Sequence, residues 1–372
     1  MQQCDFAVIG GGLVGSAIAY GLASQGLQVS VLDEGDVAYR ASRGNFGLVW
    51  VQGKGQEISR YSQWSMRSAS KWSALSQELF ELTGVATQHH NPGGVHLCYS
   101  EAELASREVD LDALSQATDR QFSFKMLNHS QLRDLIPEIG ESVTGASWSS
   151  WDGHANPLYL LRALHAGIRC HGGRFLAVGK VKEIRRNGES YVIESNHQTI
   201  TAGRVILAAG LGNRELAPQV GLDAPLNPNR GEILVTERMR PLLNLPTTYL
   251  RQTGEGSILM GDSHEDVGFN DGTETPVLAQ IAKRAVRALP ALENTRVVRS
   301  WGALRVMTPD GYPLYQASES HPGVFVACCH SGVTLAAAHA KCLAPWFAGA
   351  EAPSEIIPFT AERFHVQTSI PA

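Results

Sequence analysis

Phe6-Ala7-Val8-Ile9 is a short apolar run that ends in Gly10-Gly11-Gly12, and the residues from Leu13 to Ala23 carry apolar positions at helical spacing. Gly26 then breaks the helix, and Gln28 to Asp33 reads as a second strand ending in an acid. A strand–turn–helix–strand unit is therefore complete within the first 33 residues. Its turn, Gly10-Gly11-Gly12-Leu13-Val14-Gly15, fits the spacing G-x-G-x-x-G. Gly10 allows the tight turn, Gly12 lets the backbone approach a pyrophosphate, and Gly15 lets helix and strand pack closely. The helix N-terminus would turn free N–H groups and its positive dipole end toward the phosphates. Asp33, 23 residues after Gly10, can accept from both ribose hydroxyls and disfavours a 2′-phosphate. Glycines also mark plain turns, but the strand before, the helix after and the terminal acid agree on a dinucleotide. The motif alone does not choose between FAD and NAD.

The rest of the chain bounds what can surround that unit. Its 372 residues suggest two domains, and 43% hydrophobic with 18% charged residues describes a globular protein with ample core. The 31 basic and 36 acidic side chains leave a net charge of −5, which argues against nucleic-acid binding. With no run of 18 apolar residues, no membrane span is expected. The N-terminus lacks the basic region of a signal peptide. Six cysteines without a CxxC pair argue against a disulfide framework and a zinc site, so a reducing, cytoplasmic location is expected.

Further along, a helix is predicted over about 59–82, a strand over 93–99 and a helix over 101–118. Short strands follow over 174–178, 181–185, 191–194 and 204–210. Residues 225–300 mix strands with one helix near 277–289, and a buried strand at 324–327 precedes a helix from about Thr334 to Phe347. Strand-turn-helix units at both ends and a strand-rich middle point to an α/β chain: one nucleotide-binding domain built from separated segments, with an inserted α+β domain for substrate.

Three segments turn the dinucleotide toward FAD: Arg40-Ala41-Ser42-Arg43-Gly44-Asn45-Phe46-Gly47-Leu48, Val205 to Gly210, and Trp301-Gly302-Ala303-Leu304-Arg305 with Thr308 to Pro313. With His330-Ser331-Gly332-Val333-Thr334 after them, their order resembles the D-amino-acid, glycine and sarcosine oxidase family of flavoenzymes, from Phe6 to about Phe347. A narrower likeness, carried by Asp33 to Tyr39 and the stretch Arg40–Gly55, is to the β subunits of opine oxidases, near those of D-hydroxyproline, proline and cyanide-forming glycine dehydrogenases. The resemblance implies a Rossmann-like, glutathione-reductase-like FAD domain (1–85, 145–220 and 300–372) and an inserted mixed-sheet substrate domain (86–144 and 221–299).

It also implies roles for particular residues. Gly10, Gly12 and Gly15 would hold the pyrophosphate of a non-covalent FAD, and Asp33 the adenosine ribose. Ser42, Arg43, Asn45, Phe46, Gly47 and Leu48 would line the stretch from diphosphate to flavin. Val181 matches a position that meets the adenine, or is a plain core valine. Ala209, Gly210 and Gly302 would come close to the cofactor. His330, Gly332, Val333 and Thr334 match the segment whose N–H groups stabilise negative charge on a reduced flavin; His330 could equally cap a turn. Arg305 is expected to hold a substrate carboxylate through two parallel hydrogen bonds, its alternative being a structural ion pair. Tyr249 would lie over the substrate, or pack in a sheet. Ala303 stands where some relatives carry a cysteine that attaches FAD covalently.

The implied chemistry is hydride transfer from an amine-bearing carbon to the flavin, followed by hydrolysis of the imine. The substrate would be an opine such as octopine or nopaline, or an imino acid. Partners would be a larger α subunit, with FMN at their boundary, and a small iron–sulfur subunit. A stand-alone glycine, sarcosine or D-amino-acid oxidase, and a flavin-binding subunit without turnover, remain open. His89-His90 lacks the spacing of a metal site. Cys328-Cys329 reads as a buried small pair, and Trp64 with Trp72 as a core helix face. The Asn128-His129-Ser130 sequon has no consequence inside a cell.

Overall fold

The computed structural model of the chain describes residues 2–35 and 41–365. Asp36, Val37, Ala38, Tyr39 and Arg40, which carry part of the resemblance, lie outside the described residues. The opening unit forms as its sequence predicts: β1 (Gln2–Ile9), α1 (Leu13–Ala23) and β2 (Val29–Asp33). β1 pairs in parallel with β2 on one side and with Thr199–Leu207 on the other. Val324–Cys328 and Arg174–Ala177 extend the parallel sheet at its two ends. The antiparallel strands Val181–Asn187, Ser190–Ser195 and Leu314–Ala317 complete eight strands. Ala7, Val8, Val31 and Ile206 have no exposed surface, as expected for parallel strands covered on both faces.

α1 is almost wholly buried. It lies among Ser59–Thr83, Pro157–Cys170 and the C-terminal helical segments in the largest apolar core. Close packing demands small residues there: a Cβ on Gly15 would overlap the Gly10 carbonyl oxygen, and one on Gly21 the Ala340 carbonyl. Trp64 and Trp72 are fully buried on Ser59–Thr83, the core face their spacing predicts. Pro157–Cys170 went unrecognised in the sequence, although Asn156 accepts from Leu158 N–H and Tyr159 N–H and Pro157 stands at its first turn, both helix-start signals.

The C-terminal helix predicted over 334–347 runs without a break from Ala336 to Ala348, but not as α-helix throughout. Short α-helical pieces, Ala336–Ala338 and Ala344–Ala348, flank a π-helical turn at His339–Leu343. The Thr334 carbonyl, which would accept from Ala338 in an α-helix, instead accepts from Ser68 Oγ (2.7 Å) and Trp72 Nε1 (3.1 Å). Ala338 N–H turns to Ser68 Oγ, and Pro345 has no N–H to offer the turn before it.

The second layer is an antiparallel sheet in the order Leu250–Gln252, Ser257–Met260, Asn227–Arg238, Val297–Met307. A three-stranded sheet of Gly94–Cys98, Gly145–Ser149 and Lys125–Asn128 joins it through a parallel bridge between Val95 and Thr247. Thr275–Ala288 packs against this layer, which has its own apolar core. Expected divisions at 144/145 and 299/300 run through continuous structure. Gly145–Ser149 pairs with Gly94–Cys98, and residues 300–307 belong to a strand that begins at Val297.

Candidate functional site

A cleft of about 590 Å³ is lined at one end by the glycine turn and at the other by the antiparallel sheet. At the turn, Gly10 adopts φ +105° and a Cβ there would overlap the Ala208 carbonyl. A Cβ on Gly12 would come within 3.0 Å of Ser42 Oγ, the acceptor of Leu13 N–H. Gly12 caps α1 without a side-chain hydrogen bond, and no acid occupies the first turn. The helix end is left for an anion. Asp33 braces this turn, accepting from Gly11 N–H (2.8 Å) and Gly35 N–H (2.9 Å), while its residue still lines the cleft. Bare backbone at Gly10 and Gly12, at the start of a helix whose Leu13 N–H is held by Ser42 Oγ, fits the diphosphate of an extended dinucleotide.

Most of the remaining expected residues meet along the same wall. Ser42, Arg43, Asn45, Phe46, Leu48, Val181, Ala209 and Gly210 all line the cleft. Gly15 lies behind the turn as the helix–strand contact. Gly47, at φ +98°, shapes the loop: its N–H donates to Asn45 Oδ1, and Arg251 Nε donates to the adjacent Phe46 carbonyl. Gly302 does not reach the cleft. A Cβ there would overlap the Gly272 carbonyl, so its bareness serves the 271–272 loop.

His330, Gly332, Val333 and Thr334 also line the cleft. Thr334 Oγ1 ties this segment to Leu48–Val49, accepting from Trp50 N–H and donating to the Leu48 carbonyl. Lys54, which the sequence reading missed, reaches in beside it. Its Nζ donates to Ser331 Oγ (2.7 Å) and stands 3.3 Å from His330 Nε2, and Tyr61 donates to the same Ser331 hydroxyl. Burial pulls the Lys54 ammonium down to about 8, and burial with the charges of Lys54 and Arg305 holds the His330 imidazole well below its usual value. His330 is therefore a neutral acceptor.

Arg305 lines the cleft from Val297–Met307. Its Nη2 pairs with Asp262 Oδ2 at 2.6 Å, and its Nη1 donates to Asn229 Oδ1 and to the carbonyls of Arg230 and Ser263. The guanidinium lies against Gly231, where a Cβ would overlap it. The ion pair that the sequence left open as the alternative for Arg305 is thus present, on a guanidinium that also lines the cleft. Tyr249 is not in this wall. Its ring belongs to the core of the second layer, with its hydroxyl on Tyr99 and Arg284 over its face. Thr248, one residue earlier, lines the cleft instead. Asp262 also went unrecognised, since nothing in the residues around it announces an ion pair.

Elsewhere, His89 stacks on Trp72 and His90 on His154. Among the described residues no cluster of His, Cys, Asp and Glu could hold a metal, and no helix is long and apolar enough to cross a membrane. Cys328 and Cys329 are buried free thiols, each pushed up to about 12 by burial.

Comparison with known proteins matches this arrangement. Residues 5–346 fit the family model described as FAD dependent oxidoreductase, DAO. The chain is 40% identical to the opine oxidase B-chain component of Rhizobium meliloti over 368 residues, covering 99% of each chain. It is also 40% identical to the corresponding opine oxidase component of Agrobacterium tumefaciens (strain Ach5) over 371 residues, all of both chains. Among solved structures, glycine oxidase from Geobacillus kaustophilus superposes with a TM-score of 0.89 at 23% identity, covering 97% of this chain and 98% of that one. With the glycine cradle, the cleft and the full-length match in hand, the chain belongs to the DAO family of FAD-dependent oxidoreductases.

Proposed function

We propose that this chain is the catalytic β subunit of a flavin-dependent opine dehydrogenase, oxidising the secondary-amine C–N bond of an opine such as octopine or nopaline. The imine product would hydrolyse to L-arginine and a 2-oxo acid. The observation that carries the reading is the full-length identity to opine oxidase B subunits, joined to an Arg305 guanidinium in the cleft that leads to the cofactor cradle. By the same likeness we assign it a larger α subunit, FMN at their boundary, a small iron–sulfur subunit and a cytoplasmic setting.

FAD, held by the Gly10–Gly15 turn, Asp33 and the 42–48 loop, supplies the hydride acceptor. The protein's part is positional. Arg305 fixes a carboxylate on the carbon that loses hydride, and the aligned C–H then needs no further search. Neutral His330 offers an acceptor rather than a charge on the wall that Lys54 shares, which leaves a substrate amine free to stay unprotonated.

The test is anaerobic mixing of the FAD-loaded protein with octopine, nopaline, D-hydroxyproline, sarcosine and glycine, following flavin absorbance near about 450 nm. Bleaching by an opine, with little oxygen consumption afterwards, is expected. Bleaching by glycine or sarcosine alone, with peroxide on admitting air, would replace this reading with a self-sufficient oxidase.

A further inference from the structure

The substrate half of the cleft is lined by two cations, and they differ in what they already hold. Arg305 has the Asp262 carboxylate at 2.6 Å and three further acceptors. Lys54 has a hydroxyl and an imidazole nitrogen, and among the described residues no carboxylate lies within ion-pairing distance of it. The charges of both cations depress His330, so the imidazole stands within the field of each. The groups facing Lys54 are His330, Ser331, the Tyr61 ring at 5.4 Å and the Cys329 thiol, with Asp152 acting from farther away. Burying an ammonium without a counter-ion is costly, and here it is partly buried on the wall of a ligand cleft.

An amino acid brings one carboxylate, and Arg305 suffices for it. An opine carries a second carboxylate on the other arm of its secondary amine. We propose that Lys54 anchors this second carboxylate, so that the cleft selects secondary amines bearing a carboxylate on each arm. The proposal rests on the opine reading above and names the feature of the substrate that the site recognises. Ser331 holds the Lys54 ammonium forward, and its hydroxyl is itself fixed by Tyr61 at 2.7 Å.

The experiment uses inert sulfides in place of the amine. Thiodiacetate has a carboxylate on each arm, methylthioacetate on one, and binding of both to the FAD-loaded protein is followed by calorimetry. Lys54→Met should weaken thiodiacetate about tenfold or more and leave methylthioacetate within about twofold, while Lys54→Arg restores the discrimination. Arg305→Met should weaken both. A wild-type pH series gives the same answer without a variant: thiodiacetate affinity should fall as pH rises past about 8, where the ammonium discharges, and methylthioacetate affinity should not. Equal loss of the two sulfides in Lys54→Met, or loss of neither, overturns the proposal, as does a wild-type protein that binds neither. If opines fail to bleach the flavin while the sulfides behave as expected, the opine reading falls and dicarboxylate recognition by Lys54 stands. If opines bleach it and the sulfides do not discriminate, only the role of Lys54 falls.

Discussion

The two ends of the cleft are built from different materials. The cradle at Gly10–Gly15 is backbone: bare α-carbons, the start of a helix and one carboxylate bracing the turn. The far wall is side chain, with Arg305, Asp262, His330, Ser331 and Lys54 brought from separate stretches of sequence. A backbone site tolerates almost no change in shape. A side-chain site can lose a member and keep its fold, changing only what it binds. Substitutions at the two ends should therefore fail in different ways.

Gly15→Val should give the largest effect. Even a Cβ at this position would overlap the Gly10 carbonyl oxygen and approach Ala208 Cβ to 3.1 Å, and neither neighbour can move without displacing the first strand or its helix. Overpacking of this kind costs roughly 1–3 kcal/mol, and sometimes more, and here it also closes the phosphate approach. The variant should be recovered without flavin and with a clearly lower Tm, read from the 280 nm and visible absorbance and a thermal melt. A yellow protein with an unchanged Tm would mean that the cradle is not set by sterics.

The same contrast explains what was legible in the sequence. The cradle occupies 33 contiguous residues, and strand period, glycine spacing and terminal acid are all local signals. Arg305 was singled out by the family resemblance of a short segment, Trp301 to Arg305, and it lines the cleft. Lys54 was hidden for the opposite reason. Its own segment contains nothing unusual, and its meaning comes from Ser331, 277 residues away. Tyr249 shows how small the margin is: it stands in the tight bend that Thr247 and Leu250 close, where one position separates a residue in the cleft, Thr248, from one in the core. The later start of the C-terminal helix was likewise invisible, because Ser68 and Trp72 capture the Thr334 carbonyl from a helix far away in sequence.

Asp262 gives a smaller and more discriminating test of the far wall. Its carboxylate occupies Arg305 Nη2, yet Nη1 is held by three other acceptors. Asp262→Asn should therefore leave the guanidinium where it is and remove an anion that competes with substrate. The pair is partly exposed, with side-chain exposures of 21% and 35%, so the gain is discounted to about 1 kcal/mol, on the order of fivefold tighter methylthioacetate binding. Weaker binding would show that Asp262 orients Arg305 rather than opposing its ligand.

An effect of similar size, spread over a pH unit, concerns the scaffold behind the cradle. His339 lies in the π-helical turn with no exposed surface; its Nε2 is 2.7 Å from the Tyr315 hydroxyl, and Nδ1 has no partner among the described residues. Burial pulls its imidazole down to about 3. The folded value lies below the unfolded one, so the stability that the neutral ring contributes is complete above about pH 6.5 and is lost as pH falls through that value toward 3. The loss approaches about 1.4 kcal/mol for each pH unit well below 6.5, and a protein taken from pH 6.5 to 5.5, where the unfolded imidazole starts only half protonated, should lose about 1 kcal/mol from this residue. His339→Gln removes the titrating group while keeping a polar partner for Tyr315, so its denaturation free energy should vary less steeply over this range. If wild type and variant show the same slope, the acid sensitivity lies instead with the half-buried imidazoles of His89, His96 and His154, also held low by burial. With the shallower slope expected of the variant, the scaffold weakens in acid through His339 while the far wall loses its ligand in base through Lys54, which is the separation expected of a backbone site and a charged one.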